Sequence, residues 1–150
     1  MSNITVRIIG ENKTDYLPLL LLGDESESSI HTYLERGKLF ALYDSDLKCV
    51  CLATDEGEGT LEIQNLATDE RYQRQGYASK LIDYIAEHYR KSYDRIILGT
   101  GDVPGILYFY GRLGFEITHR IPNYFIDNYD HPMYEEGVML KDKVYLERKL

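Results

Sequence analysis

The sequence predicts one α/β domain over residues 1–150, a mixed sheet with helices on its faces. Three observations carry this. The chain has 150 residues, 43% apolar and 28% charged, which is enough to enclose one sizeable core and ordinary for a globular chain. No internal repeat, low-complexity tract or Pro/Gly/Ser linker divides it. Segments with two-residue alternation surround a strand, helix, strand, helix, strand series. Two of those strands are joined by a helix and therefore run parallel within a sheet otherwise built of hairpins.

The elements follow in order. Residues 4–9 alternate as a first strand. Residues 15–22 suit a short helix, with Pro18 tolerated only in its first turn. Asp24 followed by Glu27 resembles a capping box; Ile30, Tyr33 and Leu34 fall at helical spacing, and Gly37 is a stop. Residues 39–43 and 48–53 form a hairpin around Asp44-Ser45-Asp46. After a turn at residues 56–59, residues 61–67 read as a further strand. Ala78, Leu81, Ile82, Ile85, Ala86 and Tyr89 then mark the strongest helix, with Lys80, Asp83, Glu87 and Arg90 on its other face. Residues 95–98 are a short strand parallel to 61–67. Pro104 opens a second helix with Ile106, Phe109, Tyr110 and Leu113 on one face, and Gly114 ends it. Residues 115–121 are a strand, 123–136 an irregular acidic and aromatic stretch. Val138, Leu140, Val144 and Leu146 alternate along a last strand.

Charge and composition exclude several classes. Lys plus Arg total 17 and Asp plus Glu 25, a net charge of −8. That disfavours nucleic acid and anionic membrane surfaces as partners and suits a cationic substrate. The longest apolar run, residues 19–22, is far too short to span a bilayer. Met1, Ser2 and Asn3 begin no basic, then apolar, secretory leader. Cys49 and Cys51 read as reduced core thiols, so a cytoplasmic location is expected. With two cysteines, and with His31, His88, His119 and His131 at no metal-ligand spacing, no metal is expected. No serine stands in a G-x-S-x-G elbow. Fourteen tyrosines, with four Phe and no Trp, belong at half-buried sites or interfaces.

The chemistry concentrates in Gln73, Arg74, Gln75, Gly76, Tyr77 and Ala78, between a strand and the best helix. A glycine turn entering a helix presents unpaired N–H groups in one direction, backed by the positive end of the helix dipole. Arg71 and Arg74 add charge, and the small Ala78 leaves room for a phosphate group. The segment matches neither G-x-G-x-x-G nor the P-loop pattern. By itself it also fits a plain tight turn.

Two motifs in order resemble the GNAT family of N-acetyltransferases. Gln73, Gly76 and Ala78 fill its acetyl-CoA signature [QR]-x-x-G-x-[GA]. Tyr108, Phe109, Tyr110, Gly111, Arg112, Leu113, Gly114 and Phe115 resemble its second motif, a helix ending in Tyr-x-x-x-Gly-Phe. The resemblance covers about residues 61–115. It implies a mostly antiparallel sheet with one parallel, splayed strand pair. The pantetheine arm of acetyl-CoA would lie on the backbone of Leu66 and Ala67, and the pyrophosphate on the amides of Gln73, Arg74, Gln75, Gly76, Tyr77 and Ala78. Acetyl would pass directly to an amine of a small molecule or a protein.

Tyr110 matches the family's acid beside the CoA sulfur. A phenol titrating near 10 protonates a thiolate while staying neutral itself. On residues alone, its place on an apolar stripe reads as core packing. Glu62 is the candidate base: it and Gln64 share one strand face, Leu61 and Ile63 the other, and a polar face on a central strand fits a substrate slot. A solvated surface glutamate, or a water relay as base, stays open. Backbone at Leu66 would hold the thioester oxygen. Where relatives carry Asn at the second helix entry, this chain has Asp102, a helix cap or an acceptor-facing group. The alternative is a non-catalytic acyl-CoA-binding sensor, against which Tyr110 speaks. The acceptor is expected to be cationic, bordered by Asp127, Asp130, Glu135 and Glu136. The last strand favours a homodimer by edge pairing.

Overall fold

A computed structural model describes residues 3–150, so the leader reading at Met1 and Ser2 lies outside the described residues. Nine strands and five helices are present among the described residues. The strands are β1 (Ile4–Ile9), β2 (Lys38–Asp44), β3 (Asp46–Gly57), β4 (Thr60–Thr68), β5 (Arg95–Gly101), β6 (Glu116–Ile121), β7 (Tyr134–Glu135), β8 (Val138–Met139) and β9 (Lys143–Lys149). The helices are α1 (Leu17–Gly23), α2 (Glu27–Tyr33), α3 (Tyr77–Tyr89), α4 (Pro104–Arg112) and α5 (Tyr124–Asn128). Seven strands form one sheet in the order β1-β2-β3-β4-β5-β9-β6, and β7 with β8 form a separate hairpin. Only β4 and β5 run parallel; the other neighbours in the main sheet are antiparallel. Among the described residues no helix is long and apolar enough to cross a membrane.

Two clusters of apolar side chains cover the two faces. On one, Leu81, Ile82, Ile85 and Ala86 of α3 pack on Phe40, Cys51, Leu61, Ile63, Ile96 and Leu146. Each fully buried large aliphatic contributes roughly 1.5–3 kcal/mol relative to exposure. On the other, Leu20 of α1, Ile30 and Leu34 cover Leu39, Ala41, Val50 and Leu52. Cys49 and Cys51 are buried and unbonded.

Some expected details change. The cap of α2 is Ser26, whose hydroxyl accepts from the Ser29 amide at 3.2 Å; Asp24 accepts from the Ser26 amide instead. The last strand does not begin at Val138. Val138 and Met139 turn back on Tyr134 and Glu135, and β9 starts at Lys143. Residues 123–136 contain a helix, α5. Because β9 inserts between β5 and β6, both its edges are occupied and it offers no edge to a second copy. The free edges are β1 and β6.

Phenol hydroxyls absorb part of the acidic excess. Tyr33, Tyr72, Tyr77 and Tyr93 donate to the carboxylates of Asp24, Asp46, Asp44 and Asp55.

Candidate active site

The ladder between β4 and β5 runs only from Thr60↔Arg95 to Ile63↔Leu98. Beyond it the strands part, because β5 continues along β9 while β4 continues along β3. Residues 64–68 of β4 therefore have no β5 partner on that side. A β-bulge begins the divergence: Leu52 faces Asn65 and Ala53 faces Ile63, so Gln64 is the extra residue. Before the bulge Leu61 and Ile63 point to the α3 side. After it Asn65 and Ala67 point to the α1–α2 side. A cavity of about 720 Å³ occupies the gap.

One end of the cavity is the amino terminus of α3. Its N-cap is Gly76, at φ 85, with no side-chain cap. The first free turn of amides, at Tyr77, Ala78 and Ser79, faces the cavity; the next, Lys80, already bonds the Gly76 carbonyl at 3.1 Å. A Cβ on Gly76 would meet nothing within 4 Å, so the space before these amides is open. Arg74, exposed at φ 64, adds a charge beside them. The loop is held from both flanks by one hairpin turn: Tyr77 donates to Asp44 at 2.7 Å and Tyr72 to Asp46 at 3.1 Å. Lys48, paired with Asp46, lies 3.2 Å from the centre of the Tyr72 ring. Open amides, helix dipole and an arginine suit a diphosphate, so the residues present fit the cofactor's charged end.

Tyr110 of α4 stands in the cavity wall, edge-on to Phe109 and Phe115 with ring centroids 5.0 and 5.6 Å away. Burial, then the neighbouring Cys51, Cys49 and Glu135, push its pKa above the ordinary phenol value. Its hydroxyl is therefore un-ionised throughout the physiological range.

The opposite sheet face carries Glu62. Burial, then Glu56, raises its pKa above the usual carboxylate value, while Lys143 and Arg36 oppose the rise. Around it Gln64 donates to Thr54 at 3.1 Å, and Thr54 and Arg36 both donate to Glu56, at 2.6 and 3.0 Å. Asn65 is 3% exposed; its Nδ2 donates to the Leu20 carbonyl at 2.9 Å and the Tyr33 hydroxyl at 3.1 Å, and its Oδ1 has no partner. His131 joins the cover of this face to the α1–α2 connection, with Nε2 2.9 Å from Glu25 Oε1 and Nδ1 2.7 Å from Asp130 Oδ1.

The structure thus brings Leu66, Gln73, Arg74, Gly76, Tyr77, Ala78 and Tyr110 to one cavity. Three sequence candidates stand off its lining. Gln75 is exposed on the loop. Ala67 sends its methyl into the α1–α2 core, leaving only its backbone on the open edge. Glu62 sits in the last paired stretch, opposite Ile97, on the face beyond the gap. Arg71 does not reinforce the loop: it pairs with Asp69 at 2.9 Å and faces a neighbouring hollow. Asp102 does not cap α4, whose N-cap is Val103; it pairs with Arg120. The four acids form no common border, since Glu135 and Glu136 line the cavity while Asp130 engages His131 and Asp127 is exposed on α5. Sequence reasoning passed over Asn65, Gly99 and Lys143. A buried-looking Asn within a strand and two glycines in β5 were the available signals.

The profile of an acetyltransferase (GNAT) domain matches residues 35–117. The Bacillus subtilis (strain 168) protein "Uncharacterized N-acetyltransferase YvbK" is 30% identical over 149 residues, covering 97% of this chain and 96% of its own length. A GNAT family acetyltransferase from Elizabethkingia anophelis, solved with acetyl-CoA bound, superposes with a TM-score of 0.90 at 33% identity over 100% of both chains. A Bacillus subtilis acetyltransferase in complex with CoA superposes with a TM-score of 0.90 at 29% identity over 99% of each chain.

Proposed function

Because the chain belongs to the GNAT acetyltransferase family and is an acetyl-CoA-dependent acetyltransferase, we propose that it transfers acetyl directly to a primary amine, with Tyr110 as general acid and Glu62 as general base. One observation carries this reading. The gap between β4 and β5 runs from the uncapped amino terminus of α3, past Tyr110, toward the sheet face that bears Glu62.

Bound acetyl-CoA supplies the thioester carbon that the amine attacks. The amides of Tyr77, Ala78 and Ser79, with Arg74, hold the diphosphate. The unpaired edge of β4 at Leu66 and Ala67 receives the pantetheine arm and orients the thioester oxygen. Glu62, its affinity for protons raised by burial, takes a proton from the incoming amine directly or through water as the C–N bond forms. Tyr110, kept neutral, gives its proton to the sulfur as the C–S bond breaks and is reprotonated from solvent. The amino group is protonated in solution at neutral pH, and the acidic side chains of a chain of net charge −8 attract that end of the acceptor.

Two measurements test the proposal. Calorimetry with acetyl-CoA is expected to give saturable one-site binding. Thiol release across polyamines, aminoglycosides, amino acids and peptide N-termini is expected to find at least one acceptor. Tight binding with no acceptor in the panel would favour an acyl-CoA sensor over the enzyme.

A further inference from the structure

We infer that Lys143 is an anion subsite beside the slot, and that the acceptor is an amino-acid-like amine carrying a carboxylate close to its amino group. The inference rests on the amine-acetylation reading and specifies its substrate.

Lys143 lies on β9 across from Gly101 of β5, and its stem leans over Gly99. A Cβ added to Gly99 would come within 2.3 Å of Lys143 Cε and 3.1 Å of the Tyr145 ring. Gly99 itself lines the slot. The missing side chain at residue 99 therefore makes the space through which the lysine stem passes. The ammonium comes to rest on the sheet face that carries Glu62. Nζ lies 4.5 Å from the ring centroid of Tyr124 and 5.0 Å from that of Tyr145.

Among the described residues no carboxylate lies within ion-pair distance of this ammonium. Three lysines among the described residues are buried or half-buried. Lys48 pairs with Asp46, and Lys13 donates to the carbonyls of Leu34, Glu35 and Gly37. Lys143 alone of the three has neither a carboxylate within ion-pair distance nor a backbone acceptor. Burial works against its charge, yet the phenols of Tyr145 and Tyr124 and the Glu62 carboxylate keep its pKa above the ordinary lysine value. It is therefore a stably charged, half-buried cation held by the Tyr145 hydroxyl, two ring faces and the more distant Glu62, with no carboxylate within ion-pair distance. An ammonium has three donors, so one held in this way still has donors to offer an anion. A substrate carboxylate supplies that anion. Gly99 under the lysine stem lines the slot, and Glu62 shares the sheet face, so a carboxylate at Lys143 leaves an amine one or two bonds away on the side of Glu62 and the thioester.

The test compares amines that differ only by a carboxylate: phenylalanine with phenethylamine, methionine with 3-methylthiopropylamine, lysine with cadaverine. Wild-type enzyme is expected to prefer the carboxylated member in kcat/KM for at least one pair. In Lys143→Met, which keeps a stem of similar length over Gly99, that preference is expected to fall roughly 10- to 100-fold, the range of a charge-assisted bond. Any effect of the lost charge on Glu62 acts on both members alike and cancels in this ratio. Lys143→Arg is expected to keep much of the preference. A purely structural lysine, or one that only tunes Glu62, would change both members of a pair alike. A wild-type enzyme indifferent to the carboxylate, or preferring the bare amine, overturns the inference while leaving amine acetylation intact. If no amine turns over, the acetylation reading fails separately. Calorimetry on CoA-loaded protein with N-acetylphenylalanine and N-acetylphenethylamine still decides the subsite: binding of the former that depends on Lys143 supports it, and no binding overturns it.

Discussion

The sharpest handle on the cofactor end is Gly76. Its φ of 85 lies in the left-handed region, so any L-residue there is strained by roughly 1–2 kcal/mol. A Cβ at this position meets nothing within 4 Å, so strain is the whole structural penalty. For a chain of this length that lowers Tm by roughly 2–4 °C per kcal/mol. Gly76→Asn and Gly76→Asp have the same shape and both tolerate the left-handed region better than most residues. They differ in one negative charge. If the diphosphate lies on the amides of Tyr77, Ala78 and Ser79, that charge sits on the order of 5 Å from a phosphate oxygen. At an effective dielectric of about 20 the repulsion is ~3 kcal/mol, or on the order of a hundredfold in affinity. The assay is calorimetric titration with acetyl-CoA at low and high salt, beside the melting curve of each variant. Both variants are expected to melt within a few degrees of wild type. Asn is expected to bind close to wild type, and Asp to bind about a hundredfold more weakly, partly recovering at high salt. Equal affinities for Asn and Asp in folded protein would remove this loop as the diphosphate site.

Other predictions concern the chemistry and the core. Tyr110→Phe retains the edge-on ring contacts with Phe109 and Phe115, so Tm and acetyl-CoA affinity are expected to hold while kcat falls ~10²–10⁴-fold; unchanged kcat would leave Tyr110 a packing residue. Glu62 must be ionised to accept a proton and its pKa is raised, so kcat is expected to fall as pH drops through that value. In Glu62→Gln this acid limb is expected to vanish along with most activity, and its persistence would point to another base. Burial pushes the Cys49 thiol up to about 11 and raises that of Cys51 as well, so neither is expected to react with a maleimide in the native state at pH 7.5. Both are expected to label in denaturant; rapid native labelling would contradict the packing described.

Much of this was readable from local pattern. Ala78, Leu81, Ile82, Ile85 and Ala86 fixed the main helix because one amphipathic period is a local property. Gln73, Gly76 and Ala78 announced the loop because turn and cap chemistry is also local. The parallel pair followed from the intervening helix. What escaped depends on contacts between distant segments. Nothing near Arg71 in sequence says that Asp69, rather than a phosphate, will hold it. Val138 alternates with Leu140 and Val144, yet two residues turn back on Tyr134 and Glu135 because a tight turn at Glu136 and Gly137 wins over continuation. Lys143 looked like any polar position on an outer strand. It acquires meaning only when β9 enters between β5 and β6 and places it over Gly99.

The bulge at Gln64 sets the length of β4 as firmly as its composition. Strand side chains alternate with a period of two, so the extra residue is what lets Leu66 share the α3 side with Leu61 and Ile63 across an odd spacing. Deleting Gln64 would restore plain alternation and leave Asn65 and Ala67 on the α1–α2 side. Deleting a residue after the bulge, with the pairing to β3 kept, would instead send the side chains beyond it through the sheet. A loss of one residue is therefore compatible with the face pattern at position 64 and disruptive elsewhere in Thr60–Thr68.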